Sequence, residues 1–220
     1  MRKEILNGAP IPYDAPIEKL KKLLSSPSMK DFSLSCEALS YSNNPEAYDI
    51  MLSHIDDKDK YRRLYILKTI FRHPHAVELI DRIEAALTSD DPLFVRTALI
   101  VIATHNIKVS DALLLSTVAH NLSELCTELQ ALHALAPSEE NYLRLTGLFN
   151  KAITCSQKEY IGEVLSSQYL PAKASDLFEL FRQDPFAKIR ILSLKLGKKY
   201  DFDISDFLHD SDGHVRKMAE

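Results

Sequence analysis

Apolar positions recur along this chain at intervals of three and four residues, and short clusters of Pro, Gly, Asn, Asp and Ser interrupt them. That interval is the period of one face of an α-helix. Residues 90–104, DDPLFVRTALIVIAT, carry it most completely. Asp91 offers a side-chain oxygen to the first turn, and Pro92 takes the first helical position, where a missing N–H costs nothing. Val95, Ala98, Leu99, Ile102 and Ala103 then share a face; Ile100 and Val101 lie off it, so this helix is expected to have neighbours on both flanks. The same reading predicts helices near 17–25, 28–42, 45–55, 57–73, 75–88, 92–106, 109–120, 122–135, 138–153, 157–169, 173–183, 185–199, 203–209 and 212–220. No segment reads as a strand, because even the β-like run 98–103 follows a helical cap and lacks flanking turn signals. Residues 1–16, with Gly8, Pro10, Pro12 and Pro16, are expected to form an irregular arm, and residues 17–220 an all-α domain.

These helices group into about seven antiparallel pairs. Counting back six residues from an arginine that follows a Tyr, Val or Ile gives an aspartate four times: Asp56 with Tyr61-Arg62, Asp90 with Val95-Arg96, Asp184 with Ile189-Arg190 and Asp210 with Val215-Arg216. Successive arginines are 34, 94 and 26 residues apart, which fits a repeat of about 31 residues if two middle units lack the mark. In those units Leu125 and Ile161 are expected to take the place of Val95. Asp91-Pro92 with Val95-Arg96, and Asp184-Pro185 with Ile189-Arg190, resemble the Asp-Pro and Val-Arg signature of HEAT-type repeats, part of the HEAT/armadillo group. The resemblance covers roughly residues 17–220 and implies a right-handed α-solenoid. In such a stack, equivalent arginines are expected to reach an aspartate of the adjoining unit, because guanidinium and carboxylate pair in a fork. Only four residues follow Arg216, so the terminal pair is expected to be short, acting as a cap, or cut off within the repeat.

Composition narrows the function. With 27 Lys and Arg against 31 Asp and Glu, the net charge is -4, so nucleic acid and anionic membranes are not expected as partners. No apolar run approaches the length of a membrane span, and the N-terminus lacks a signal-peptide core; a soluble cytoplasmic protein is expected. Cys36, Cys126 and Cys155 are odd in number and set in apolar patterns, which predicts buried thiols rather than disulfides. His73-Pro74-His75 lacks further ligands for a metal, and Asp210-Ser211-Asp212-Gly213 echoes a calcium loop whose glycine comes too early, so a turn and helix cap is expected there. No phosphate-binding glycine loop, zincin motif or nucleophile elbow is present, and neither enzyme activity, metal nor cofactor is expected.

A binding surface is expected instead. If Val95, Ala98, Leu99 and Ile102 face the core, Thr97, Val101 and Thr104 point toward the inner surface of a solenoid. Carrying the register across adds Arg63, Leu67 and Ile70 on one side, and Ile191, Lys195 and Lys198 on the other. A groove with an apolar middle and basic ends suits a protein segment with acidic flanks, so an adaptor or scaffold is the leading reading; packing between helices is the competing reading for Leu67, Ile70, Val101 and Ile191. An inhibitor or immunity protein, neutralising a basic toxin such as a nuclease through the acidic edge of Asp201, Asp203, Asp206, Asp210 and Asp212, is the alternative. A HEAT-like nucleic-acid enzyme is a third reading, which would need a local basic groove.

Overall fold

The computed structural model describes residues 3–6, 9–12 and 15–220. Lys3–Leu6 (β1) and Ala9–Pro12 (β2) pair antiparallel, with Lys3 opposite Pro12. This hairpin stands inside the expected irregular arm, whose remaining residues before Ala15 lie outside those described. Pro10 and Pro12 argued against a strand, but in a two-stranded ribbon each strand keeps a free edge where a missing N–H is tolerated.

From Ile17 onward all regular structure is helical, and the chain divides into two compact units, Met1–Val109 and Ser110–Glu220. The first unit holds α1 (Ile17–Leu24), α2 (Met29–Ser40), α3 (Glu46–Leu52), α4 (Lys60–Ile70), a 3-10 segment Pro74–Leu79 that runs into α5 (Ile80–Leu87), and α6 (Pro92–His105). Its helices pack as three pairs, α1 with α2, α3 with α4 and α5 with α6, and the second members α2, α4 and α6 pack on one another in that order. The second unit holds α7 (Asp111–Asn121), 3-10 segments Leu122–Glu124 and Thr127–Ala134, α8 (Glu139–Lys151), α9 (Cys155–Tyr169), α10 (Ala174–Arg182), α11 (Ala187–Tyr200), a 3-10 segment Ser205–His209 and α12 (Gly213–Ala219). Here too first members pair with second members, and Thr127–Ala134, α9, α11 and α12 form the row.

Local chemistry explains these boundaries. Asp91 accepts the Leu93 N–H with Pro92 at the first helical position, as the sequence predicts, while Asp59, Ser28, Ser110, Ser138 and Thr154 cap other helices. Val95, Ala98, Leu99 and Ile102 are buried, and so are Leu125 and Ile161 in the weakly marked middle; Ile161 lies seven residues after its helix N-cap and Val95 four, so Ile161 is core without holding the expected Val95 position. The expected helix 122–135 is broken at Cys126 and continues as 3-10 turns. The break frees backbone carbonyls, and the buried Gln157 amide donates to two of them, Leu122 O at 2.7 Å and Leu125 O at 2.9 Å. It also leaves Cys126 exposed, against the expectation of buried thiols; Cys36 is buried, its thiol pushed up by desolvation, and Cys155 is half-buried. Two fully buried serines tie second helices to first ones, Ser35 Oγ donating to Leu20 O and Ser193 Oγ to Phe178 O, each at 2.7 Å.

The Asp and Arg marks have a definite geometry. Asp57, Asp184 and Asp210 each accept the backbone N–H two residues ahead, at 2.8, 3.0 and 2.8 Å. The carbonyl of each is taken by the arginine six residues later: Arg63 on Asp57 at 2.9 Å, Arg190 on Asp184 at 2.8 Å and Arg216 on Asp210 at 2.5 Å. One arginine therefore ties down the turn that leads into its own helix. In the second unit the aspartate side chain also receives a cation from the preceding second helix. Lys158 of α9 pairs with Asp184, and Arg190 of α11 grips Asp210 through two bonds of 2.7 Å. The result is a continuous ladder, Lys158–Asp184–Arg190–Asp210–Arg216. Lys158, Arg190 and Arg216 all stand four residues after their helix N-cap, so a lysine fills the place where the middle of the sequence lacks its arginine.

Several expected rungs differ. In the doubled Asp56-Asp57 and Arg62-Arg63 the sequence allows two registers, and the repeat uses Asp57 with Arg63. Asp56 instead pairs with Arg82, at 2.8 and 2.9 Å. Arg62 reaches back to the carbonyls of Leu24 and Ser26 and lies over the Phe32 ring. Asp90 is exposed and takes no cation among the described residues. Arg216 bonds to its own turn rather than to another unit.

The Arg190 fork holds the Asp210 carboxyl below the ordinary carboxylate range, with the Asp212 N–H adding to it and burial opposing it. A carboxyl depressed in the folded state stabilises fully above its unfolded pKa and loses that contribution as pH falls through its folded value. Urea midpoints measured from about pH 5 down to about pH 2.5 should therefore fall less steeply in Arg190→Gln than in the parent. Parallel pH profiles would deny the fork this role.

A basic and apolar cavity in the first helical unit

Arg63 and Leu67 lie one turn apart on α4, and both line a cavity of about 290 Å3 within the first unit. Arg82 and Ala86 of α5, Phe94 of α6 and Ile55 from the turn after α3 complete most of its wall. The Arg63 guanidinium is fixed at one end by the Asp57 carbonyl and lies 5.6 Å from the centre of the Phe94 ring, within cation–π range. Arg82 holds Asp56 end-on through both terminal nitrogens, with half of its side chain exposed. An exposed pair of this kind contributes about 0–1 kcal/mol and leaves the guanidinium open to further anions.

Arg63 departs from the ladder in one respect. The basic residues at the same position in α9 and α11 each hold the aspartate of the next turn, whereas Arg63 has no ion pair among the described residues. The turn residue in the place of Asp184 and Asp210, two before the α6 N-cap, is Ser89, whose Oγ accepts the Asp91 N–H at 3.1 Å; Asp90 makes no bond to Arg63, and Asp91 is taken by Lys60 at 2.9 Å. That second pair holds the Asp91 carboxyl low and the Lys60 ammonium high. The cavity wall thus carries two guanidinium groups and one carboxylate over an apolar floor.

The other expected groove residues are placed differently. Leu67 and Val101 are 5% and 1% exposed, so both are core residues, and Leu67 also lines the cavity; Ile70 is fully buried. Thr97 is half-buried and Thr104 exposed on α6, and neither lines the cavity. Lys195 and Lys198 are exposed on α11 of the second unit, where Lys198 donates to Met218 O at 2.5 Å. Phe94 and Arg82 were not legible as site residues: Arg82 meets Asp56 across 26 residues, with no motif to join them.

Other clusters serve the fold. His73 and His75 both pack on the Tyr48 ring, and burial lowers the pKa of His73 despite its bond to the Leu39 carbonyl. His73 also lines a second cavity, of about 460 Å3, with His105, Phe71, Ile80 and Ile107; burial lowers His105 too, and the Arg72 charge adds to that. Among the described residues no group of three His, Cys, Asp or Glu is arranged to hold a metal. At the acidic C-terminal end, Asp206 pairs with Arg182, Asp210 with Arg190, Asp203 accepts the Ser205 N–H and Asp212 caps α12. Asp206 and Asp210 are thus paired with cations, whereas Asp203 and Asp212 accept backbone N–H groups and keep their charge. Among the described residues no helix is long and apolar enough to cross a membrane. No family model and no curated protein sequence matches the chain.

Truncation separates core from surface on this face. Leu67→Ala should cost about 2–5 kcal/mol by urea unfolding because it deletes buried methyls. Thr104→Ala should stay within about 0.5 kcal/mol. Similar costs at the two positions would contradict the assigned burial.

Proposed function

We propose that this protein is a non-catalytic adaptor, a cytoplasmic stack of HEAT-like helix pairs in a right-handed α-solenoid that holds a segment of a protein partner. The observation that carries this reading is the first-unit cavity. Leu67, Phe94 and Ile55 supply an apolar floor, and Arg63 and Arg82 supply cations with one carboxylate between them. The pairwise packing of helices within each unit supports the repeat reading, and the ladder through Lys158, Asp184, Arg190 and Asp210 supports a common origin for the units' geometry. Helical stacks present much surface for their core, and a few desolvated anchors flanked by charges are enough to select a segment. Arg63 in the first unit and, separately, Lys195 and Lys198 on α11 of the second are the cations this reading assigns to an acidic partner, and rim charges act mainly on association rate.

Affinity capture from the native cell, with the parent protein and with Arg63→Glu/Lys195→Glu/Lys198→Glu, tests the adaptor reading. The parent should recover the same protein partner in repeated captures, and the triple variant, equally helical by circular dichroism, should lose most of it. Repeated recovery of no protein partner would count against the reading, as would unchanged capture by the triple variant.

A further inference from the structure

In the second unit, the basic residue four positions after a helix N-cap always meets a carboxylate when another turn follows: Lys158 meets Asp184 and Arg190 meets Asp210. Arg63 occupies that position in α4, keeps the same bond to the carbonyl six residues earlier, and has no carboxylate partner among the described residues. Its surroundings differ in a matching way. Asp91 is drawn to Lys60, Asp90 stands exposed, and the space beside the guanidinium is the cavity floored by Leu67 and Phe94. Arg82, across the same cavity, uses its two terminal nitrogens on Asp56, and its Nε–H has no partner among the described residues.

We infer that an aspartate or glutamate side chain of the partner segment enters this cavity and completes the rung at Arg63, with an adjacent apolar residue of that segment lying on Leu67 and Phe94. The inference rests on the adaptor reading and specifies what its partner must carry. Three features favour a carboxylate. Two guanidinium groups against one aspartate leave the wall with one unbalanced positive charge, which a single carboxylate neutralises. Arg63 is already anchored by the Asp57 carbonyl and the Phe94 face, so binding costs little side-chain entropy. The N-terminal turns of α4 and α6, from which Arg63 and Phe94 project, add the positive end of the helix dipole. An apolar neighbour is required because the cavity floor is aliphatic and aromatic, and a bare acid would leave it wet.

The probe is a pair of short peptides, acetyl-Leu-Asp-Leu-amide and acetyl-Leu-Asn-Leu-amide, titrated into the full-length protein and followed by two-dimensional NMR. Loss of a charge-assisted hydrogen bond predicts that the Asp peptide binds at least about tenfold more tightly than the Asn peptide, with shifts at Ala85, Ala86 and Phe94. Arg63→Gln should abolish that preference and leave the amide spectrum otherwise folded, and Arg63→Lys should restore part of it. Equal affinity for the two peptides, a preference that survives Arg63→Gln, or no binding of either would overturn the inference. The two readings fail separately. If neither peptide binds while capture still recovers a partner lost in the triple variant, only the occupant is wrong; if the Asp preference holds while no protein partner is ever recovered, only the adaptor reading is wrong. Inorganic phosphate, added as a competitor, should displace the Asp peptide weakly, and displacement at equal concentration would replace a carboxylate with a phosphate group as the occupant.

Discussion

A carboxylate that must be paired to be buried is the constraint around which the second unit is built. Asp184 is 3% exposed and Asp210 8%, and an isolated charge at either place would carry a desolvation penalty of several kcal/mol. Each carboxylate takes the backbone N–H two residues ahead and the cation of the preceding second helix, and the backbone carbonyl of the same residue is held by the arginine six residues on. This arrangement ties one turn to two helices and sets where the next helix starts. Buried serines then draw first and second helices together, Ser193 onto Phe178 and, in the first unit, Ser35 onto Leu20.

The first unit uses the same device incompletely, and its departure places the candidate site. Arg63 ties down its turn through Asp57 but reaches no further carboxylate, and the helix starts beside it enclose a cavity instead of a rung. The charge that is paired with a carboxylate at Arg190 has none at Arg63, and the proposed site lies there. Two other cations of this unit are held within it. Arg72 is held by Glu37 and Ser40 against the Tyr41 ring, and Lys60 by Asp91.

Much of this was legible in the sequence, for physical reasons that also explain the exceptions. Helical spacing with caps such as Asp91 located most helices to within a few residues, since burial and capping act locally. Leu125 and Ile161 read correctly as core because their apolar spacing survived where the polar mark did not. The break at Cys126 was not legible, because the amide that satisfies it belongs to Gln157, more than thirty residues away. Lys158 carries no arginine mark in the sequence, yet any long cation at its position reaches the aspartate. The doubled Asp56-Asp57 and Arg62-Arg63 satisfied the same spacing in two registers, and only the bond from Arg63 to the Asp57 carbonyl separates them. Residues spaced to share an inner stripe were divided by burial: Val101 went to the core and Thr104 to solvent.

Double-mutant cycles by urea unfolding test the central claim most directly, because they measure whether a pair is coupled rather than whether each residue matters. The fork predicts a coupling of at least about 1.5 kcal/mol between Arg190 and Asp210, and an uncompleted rung predicts less than about 0.5 kcal/mol between Arg63 and Asp90. Comparable couplings in the two cycles would mean that Arg63 already has its carboxylate within the chain, and the cavity beside it would lose its claim to be the binding site.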